Sequence, residues 1–127
     1  MLTLHFDGSC FPTGTEAHGA FVVKDGDTVL HESNFLEAKE GTNNIAEWGG
    51  LVAGLRWLRQ HHGDCSVEIF GDSQLVCRQL TGQYACKKPH LQPYLNEART
   101  LLDGMTWTIT WVRREKNEEA DKLSKKR

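Results

Sequence analysis

The sequence has no run of about 18 consecutive apolar residues, so it offers no segment that could span a membrane as a helix. Its first residues lack a charged segment followed by an apolar stretch, and we therefore expect no secretory signal. With 127 residues the chain is long enough to bury a core of its own, and we predict one domain over 1–127. The missing span and signal lead us to expect a cytoplasmic protein, and we also expect a monomer.

The cysteines follow no metal-binding pattern. The four cysteines lie at positions 10, 65, 77 and 86, none forms a Cys-x-x-Cys pair, and no spacing with histidine matches a zinc site. We expect free thiols, some of which fill the core as small apolar groups. A disulfide is the alternative, and it would fit a hyperthermophilic source.

The chain also has little net charge, but its charges are unevenly distributed. The formal net charge of −2 argues against a general nucleic-acid binder. Residues 64–127 nevertheless contain 11 Lys and Arg against nine Asp and Glu, and the basic residues gather at 87–88, 113–116 and 122–127. Such runs are typical of a solvated face or a loose terminus, and they indicate binding only if an acidic ligand has another reason to be there.

The hydrophobic pattern predicts a mixed α/β domain. Apolar residues alternate in some segments and recur at steps of three and four in others, which distinguishes strands from helices. The predicted strands are a first strand that ends at Asp7, then 19–24, 28–36, 65–70 and 105–112. The predicted helices are 44–61, 73–80, a third that begins at 91 or 92 and ends at 102, and 117–125. The order βββαβααβα, with short turns between the first three strands, predicts an antiparallel meander within a mixed sheet that helices cover.

Four acids stand at the ends or beginnings of these predicted elements, and each has an ordinary structural explanation. Asp7 precedes a glycine, and Asp-Gly is a frequent turn. Glu47 would complete a capping box with Asn44, and Asp72 would be the N-cap of the next helix. Asp121 would lie in the first turn of the last helix, where acids are favoured. Taken singly, each position favours a structural role.

Taken together, the same acids indicate a metal site. Ligands of mixed α/β proteins bind at the carboxyl ends of parallel strands, where helices begin. Glu47, Gly50 and Gly54 share one helix face, and glycines that cost helix stability there indicate a close approach to the sheet. Acids that converge without basic partners would have raised pKa values unless cations neutralised them, and divalent cations such as Mg²⁺ prefer oxygen ligands.

The segments around these acids resemble type 1 ribonuclease H. They read FDGS at Asp7, TNNIAE at Glu47, GDSQLV at Asp72 and REKNEEADKLS at Asp121, in the family's order and over nearly the whole chain. The chain looks like a short archaeal or bacterial form of that family. The resemblance implies an α/β ribonuclease H-like fold, with a five-stranded mixed sheet, its first three strands antiparallel, flanked by helices.

The resemblance also implies an activity. It is that of an endoribonuclease that hydrolyses the RNA strand of an RNA–DNA hybrid by a two-metal-ion mechanism, leaving 5′-phosphate and 3′-hydroxyl ends. The implied cofactor is Mg²⁺, two ions per site, with Mn²⁺ as a substitute. By position, Asp7 would bridge both ions, Asp121 would hold the ion of the attacking water, and Glu47 and Asp72 would hold the other.

Substrate contacts are implied by the same resemblance. The residues concerned are Gly8, Ser9, Cys10, Asn43, Asn44 and Gln74 for the minor groove of the hybrid, and Thr42 for a phosphate of the DNA strand. The ribose 2′-hydroxyl distinguishes RNA from DNA at such sites. The alternative for Thr42, Asn43 and Asn44 is a helix cap, and the alternative for Gln74 is plain helix surface.

The sequence departs from well-known members of the family in two places. The loop before Asp121 contains no histidine, so Arg113, Arg114 or Glu115 replaces it or the step proceeds unaided. A long basic protrusion is also missing, because only 83–89 separates the two middle helices. We also expect no separate domain for hybrid binding before this one.

Weak, salt-sensitive binding follows, because few cations are left to contact phosphates. We expect contributions from Arg113, Lys122 and the tail at 125–127, and from Tyr84 with the lysines at 87–88. Tyr84 and these lysines are otherwise a half-buried ring beside a solvated pair. The tryptophans have helix and strand spacing that predicts core positions, and they are Trp48, Trp57, Trp107 and Trp111.

Two other functions stay open at this point. One is a ribonuclease-H-like module that binds nucleic acid but has weak or no catalysis. The other is a different metal-dependent nuclease on the same fold, which would act on single-stranded DNA ends or junctions.

Overall fold

The structure of the chain, a computed structural model, describes residues 1–12 and 14–125. Five strands and four α-helices follow one another in the predicted order βββαβααβα. They are β1 (Leu2–Ser9), β2 (Ala17–Asp25), β3 (Thr28–Ala38), α1 (Asn43–His62), β4 (Ser66–Gly71), α2 (Gln74–Thr81), α3 (Gln92–Leu102), β5 (Thr106–Trp111) and α4 (Glu118–Ser124). A 3₁₀ turn at Arg114–Lys116, which the pattern did not predict, precedes α4. Within the described ranges, no helix has the length and hydrophobicity needed to cross a bilayer.

The five strands form one mixed sheet in the order β3-β2-β1-β4-β5. β1 pairs antiparallel with β2, and β2 pairs antiparallel with β3, so the predicted meander is confirmed. β4 lies parallel to both β1 and β5. Because β1 and β4 are parallel neighbours, their carboxyl ends lie side by side, and the residues that follow them share one edge of the sheet.

The first strand is longer than the pattern predicted. Asp7 pairs with Ala20 inside the ladder, and pairing continues to Ser9 opposite His18. The expectation that the strand ends at Asp7 is therefore wrong, and so is the alternative that Asp7 begins a turn. The strand continues because β2 begins at Ala17 and supplies partners for these residues.

The long helix α1 packs very closely on the sheet. A Cβ atom at Gly50 would lie 2.5 Å from the backbone oxygen of Asp7 and 2.7 Å from that of Ala20. A Cβ atom at Gly54 would lie 2.5 Å from the Leu4 side chain. Two glycines on one helix face thus allow the predicted close approach, and α1 covers the face of the sheet to which Leu4 points.

The prediction for the tryptophans is confirmed only in part. Trp48 is fully buried, and its Nε1 donates to Oε1 of the buried Gln79 at 3.0 Å. Trp57 and Trp107 are half-buried, whereas the side chain of Trp111 is 41% exposed. Trp111 lies on the same face of β5 as Trp107 and Ile109, but it is the last residue of this edge strand.

The four cysteines are free, as predicted. Cys10 and Cys77 are buried, whereas Cys65 and Cys86 are partly exposed. Burial raises the pKa of the Cys77 thiol to about 12, which makes it an unreactive packing group.

Replacing Gly50 with alanine tests the close packing of α1 on the sheet. The added methyl group would collide with two backbone oxygens that cannot move independently, so we expect a loss of at least about 1–3 kcal/mol, the usual cost of overpacking a core. Urea unfolding measures the loss. Gln60→Ala, at an exposed position of the same helix, is the control and should change the free energy of unfolding by less than about 0.5 kcal/mol. Equal stability of Gly50→Ala and the parent would contradict the close approach.

Candidate active site

The site begins with Asp7, a carboxylate inside the central strand of the sheet. Asp7 is only 2% exposed, although water strongly stabilises an ionised carboxylate. The strand on each side holds its backbone rigidly, since β2 pairs with it through Ser9 and β4 pairs with it up to Phe6. The central sheet therefore provides a fixed mount for this acid.

Glu47 reaches Asp7 because α1 lies directly against β1. Gly8 stands against the backbone of Ala46 and Glu47, with no room for a side chain at that position. About one turn later in α1, Gly50 also has no room for a side chain, because the backbone oxygens of Asp7 and Ala20 lie against it. The Oε2 atom of Glu47 is buried without a hydrogen-bond partner, which is unusual for a charged group in a native protein.

The helix-cap alternative is confirmed for Thr42, whereas Asn44 and Asp72 are not caps. Thr42 is the N-cap of α1, and its hydroxyl accepts a hydrogen bond from the backbone N–H of Ile45 at 3.2 Å. The N-cap of α2 is Ser73, whose hydroxyl accepts from the N–H of Val76 at 3.3 Å. The capping interpretations of Asn44 with Glu47 and of Asp72 are therefore wrong. A hydroxyl group caps each helix, so neither Glu47 nor Asp72 is used as a cap.

Asp72 follows the last residue of β4 and lies beside Asp7. Its backbone oxygen accepts a hydrogen bond from Nε1 of Trp111 at 3.0 Å. Its side chain is 9% exposed and faces the other acids. The parallel pairing of β1 and β4 thus brings two acids together that lie 65 positions apart.

Asp121 comes from α4, in the first turn of that helix as predicted. The helix is tied to the sheet by polar contacts: Nδ2 of the buried Asn117 donates to the backbone oxygen of Phe6 at 2.9 Å, and Lys24 of β2 pairs with Glu119. Lys125, four residues later, lies 3.3 Å from Oδ2 of Asp121. Because α4 carries side chains that reach Asp7, and Leu4 and Asp7 point to opposite faces, α1 and α4 cover opposite faces of the sheet.

Together these elements form one acidic cluster. One carboxylate oxygen from each of Asp7, Asp72 and Asp121 lies within 4.8 Å of the other two. Glu47 adjoins the cluster, close enough that the charges of Asp7 and Asp72 raise its pKa. The structure therefore brings all four predicted acids together at one end of the sheet.

The cluster shifts the pKa values of Asp7 and Glu47 upward. The pKa of Asp7 rises from the usual 3.8 to about 7, first because it is buried and then because of the charge on Asp72. The pKa of Glu47 is well above its usual value, again mainly through burial and then through the charges of Asp7 and Asp72. Close, buried carboxylates resist ionisation when no cation neutralises them.

The donor set fits divalent cations. Carboxylate oxygens are the ligands that hard ions such as Mg²⁺ and Mn²⁺ prefer, and the four acids offer eight of them. The unpartnered, buried Oε2 of Glu47 is an acceptor for which a cation would be a natural partner. We infer that this cluster is a cation site, whose holders would be Asp7, Glu47, Asp72 and Asp121.

Arg114 is a site residue that the sequence only partly indicated. The 3₁₀ turn at 114–116 directs its guanidinium toward the cluster, with Nε 3.6 Å from Oδ2 of Asp72 and 3.9 Å from Oδ1 of Asp121. Its side chain is 70% exposed, so it faces solvent as well as the acids. Of the three candidates for the missing histidine, this one contacts the acids. Arg113 and Glu115 are exposed beside it.

The predicted substrate residues differ in their exposure and in their hydrogen bonds. Oδ1 of Asn43 accepts a hydrogen bond from the backbone N–H of Cys10 at 3.0 Å, which joins the end of β1 to the start of α1. The Cys10 residue is 1% exposed, and its thiol lies 3.3 Å from the backbone oxygen of Gly41, so this side chain supports the loop from inside. Gln74 is exposed at the first position of α2.

The remaining candidates are accessible to different degrees. Gly8, Ser9, Thr42 and Asn44 are partly exposed. Lys122 is exposed on α4, whereas positions 126 and 127 of the predicted basic tail lie outside the described residues. Ring packing adds one residue that the sequence did not indicate: Arg78 donates to the Tyr84 hydroxyl at 3.0 Å, and its guanidinium lies 5.3 Å from the centre of that ring.

The chain is similar to known proteins over most of its length. The family model described as reverse transcriptase-like matches residues 5–127. Ribonuclease HI of Halobacterium salinarum is 38% identical over 121 residues, which cover 94% of this chain and 60% of that protein. The chain thus spans less than two thirds of this relative.

Solved structures give the same likeness. The crystal structure of RNase H1 from Halobacterium salinarum has a TM-score of 0.88 at 36% identity and covers 96% of this chain and 92% of its own. The structure of LC11-RNase H1 in complex with an RNA/DNA hybrid has a TM-score of 0.89 at 29% identity, and covers 97% of this chain and 93% of its own.

The raised pKa of Asp7 predicts how the stability of the cation-free protein depends on pH. Between pH 4 and 7 the folded protein holds a proton on Asp7 that the unfolded chain has lost, so the free energy of unfolding should fall as the pH rises through this range. One pKa unit corresponds to about 1.4 kcal/mol, so the fall amounts to a few kcal/mol at most. Urea unfolding in EDTA at several pH values measures it.

Asp7→Asn is the control for this pH dependence. Without the titrating group, the free energy of unfolding of the variant should lack the decrease that Asp7 causes as the pH rises. The variant should therefore be the more stable protein above pH 7. A difference in stability between parent and variant that does not change with pH would contradict the raised pKa.

Proposed function

The chain belongs to the type 1 ribonuclease H family, and we propose that it hydrolyses the RNA strand of RNA–DNA hybrids by a two-metal-ion mechanism that leaves 5′-phosphate and 3′-hydroxyl ends. One observation carries the proposal: Asp7 of β1, Asp72 directly after β4 and Asp121 of α4 lie together at one end of the sheet, and Glu47 of α1 adjoins them with a buried oxygen that has no partner. The hybrid bound to LC11-RNase H1 supports this choice of substrate. Monomeric state and cytoplasmic location stay predictions.

We propose Mg²⁺ as the cofactor, with Mn²⁺ as a substitute. When bound, two such ions activate a water molecule and stabilise the charge on the leaving oxygen. The protein contributes the positions of the ligands: Asp7 would bridge both ions, Asp121 would hold one, and Glu47 with Asp72 would hold the other. Three of the four lie within a strand or a helix and Asp72 directly follows β4, so regular backbone positions the ligands, as such a site requires.

The residues at the rim of the site would read the hybrid. Gly8, Ser9, Asn43 and Asn44 belong to the junction of β1 with α1, and Gln74 stands exposed after Asp72. We propose that they contact the minor groove, where the ribose 2′-hydroxyl distinguishes RNA from DNA. Cys10 would take part through its backbone, because its thiol is buried. Thr42 would contact a phosphate of the DNA strand and also caps α1.

A second surface would bind the phosphates further from the cut. Tyr84 is 40% exposed, and Arg78 holds its ring in place through a hydrogen bond and a cation–π contact. Lys87 and Lys88 are exposed on the same loop. This small group would take the place of a longer basic protrusion, together with Arg113 and Lys122, and binding would weaken steeply with salt.

Arg114 would do part of the work of the missing histidine. A guanidinium is already protonated at neutral pH and cannot act as a proton acceptor. It can, however, bind phosphate oxygens with two parallel hydrogen bonds. Its position between Asp72 and Asp121 fits contact with the reacting phosphate or with the departing product.

Asp7→Asn tests the role of the acidic cluster. The variant keeps the shape of the side chain but loses the charge that would hold cations, so cleavage should fall about a thousandfold or more, since cations supply several kcal/mol of stabilisation to the transition state. A gel assay of labelled hybrid with and without Mg²⁺ measures it.

Controls separate this activity from its alternatives. Asp27→Asn, in the exposed turn between β2 and β3, should cleave like the parent. Duplex RNA, duplex DNA, single-stranded DNA and a duplex with a single ribonucleotide should be poorer substrates than the hybrid. Cleavage of DNA ends instead would indicate a different nuclease, and binding of the hybrid without cleavage in Mg²⁺ or Mn²⁺ would indicate a binding module.

Arg114→Ala and Arg113→Ala distinguish the two arginines. If Arg114 contacts the reacting phosphate, its loss should lower kcat by about tenfold to a hundredfold, the usual value of a hydrogen bond to a charged group. Arg113→Ala should mainly raise KM and reduce the salt dependence, because Arg113 would contact a remote phosphate. Steady-state kinetics at two salt concentrations measures both, and an unchanged kcat for Arg114→Ala would refute its role.

A further inference from the structure

A buried serine lies behind the acidic cluster, and the functions described so far do not use it. Ser124 is the last residue of α4 and is 0% exposed. Its Oγ lies 3.1 Å from Oδ2 of Asp7 and 2.9 Å from the backbone oxygen of Asp121. One hydroxyl group therefore contacts two of the acid residues, one on β1 and one on α4.

We propose that Ser124 is a positioning residue that fixes the orientation of the Asp7 carboxylate for divalent cations. The inference rests on the proposed function, because it concerns the same cluster. Rotation about the last torsion of an aspartate is soft, so the direction of its two oxygens depends on hydrogen-bond partners. Ionised carboxylates nearby cannot donate hydrogen bonds, whereas a serine hydroxyl can.

The position of Ser124 in α4 gives it a second effect. It lies three residues after Asp121, so its hydroxyl is on the side of the helix that faces the sheet. Its single proton can be donated to the Asp7 carboxylate or shared with the backbone oxygen of Asp121, so this oxygen lies between two acid residues that no backbone hydrogen bond joins. Asn117 and Lys24 hold the beginning of α4 on the sheet, and Ser124 holds its end at the cluster itself.

A purely structural role is the competing explanation. Serine hydroxyls in helices often bond to a backbone oxygen three or four residues earlier, without any function. In that case alanine, which is smaller and has a higher helix propensity, should replace Ser124 without consequence for the cluster. The contact with Oδ2 of Asp7 is what distinguishes the two explanations, because it acts on the orientation of a cation ligand.

Titration calorimetry with MnCl₂ on the purified, EDTA-treated protein tests the inference without using cleavage. The variants are Ser124→Ala and Ser124→Cys, which removes the strong donor while nearly preserving the volume. We expect both to bind Mn²⁺ about tenfold more weakly, since hydrogen-bond partners of metal ligands commonly contribute 10- to 100-fold in affinity. Thermal unfolding of the cation-free variants should stay close to that of the parent.

Ser66→Ala, at an exposed position at the start of β4, is the matched control and should bind Mn²⁺ like the parent. If Ser124→Ala fails to fold, Ser124→Cys decides. Equal affinity of the parent and the folded Ser124 variants would overturn this inference and leave the proposed function intact. Absence of Mn²⁺ binding by the parent protein would overturn the proposed cation site and this inference together.

Discussion

Everything at the acidic end of the sheet depends on how closely α1 can lie against β1 and β2. At Gly50 the helix approaches the backbone oxygens of Asp7 and Ala20 to a distance that leaves no space for a Cβ atom. On the strand, Gly8 likewise has no space for a Cβ atom, because Ala46 and Glu47 of α1 lie against it. Glycine within a helix costs about 1 kcal/mol relative to alanine, and what it permits here is the close packing of α1 that brings Glu47 next to Asp7. A bulkier interface would hold the two acids apart.

The close contact has an electrostatic consequence. Burial and like charge keep the pKa of Asp7 near 7 and that of Glu47 well above its usual value, so the cluster resists full ionisation by itself. Such a cluster lowers the stability of the folded chain unless it has a partner of opposite charge. This conflict between local stability and charge is typical of functional sites, where a ligand supplies what the fold lacks. The guanidinium of Arg114 supplies one positive charge on the solvent side of the cluster.

The fourth element of the site is held differently from the other three. β1, β4 and α1 are fixed by backbone ladders and by the core, whereas α4 has seven residues and is attached by side chains. Asn117, Lys24 and Ser124 supply these attachments. The helix that carries Asp121 is therefore placed by hydrogen bonds and an ion pair, which are individually weaker than a sheet ladder. Precision at Asp121 depends on several polar contacts that act together.

The sequence by itself determined the order and the type of the elements, because periods of 2 and 3.6 are local properties that survive without knowledge of the fold. It also indicated all four acids, through their positions at element ends and through the resemblance to a family. It could not determine where β1 ends, since strand length depends on the partner strand, or that Thr42 and Ser73 rather than Asn44 and Asp72 act as caps. The exposure of Trp111 and the contacts of Arg114 and Ser124 with the acids were decided only by tertiary structure. Edge position, side-chain direction and the packing of α4 on β1 bring together residues that are distant in the chain, and no local pattern encodes those distances.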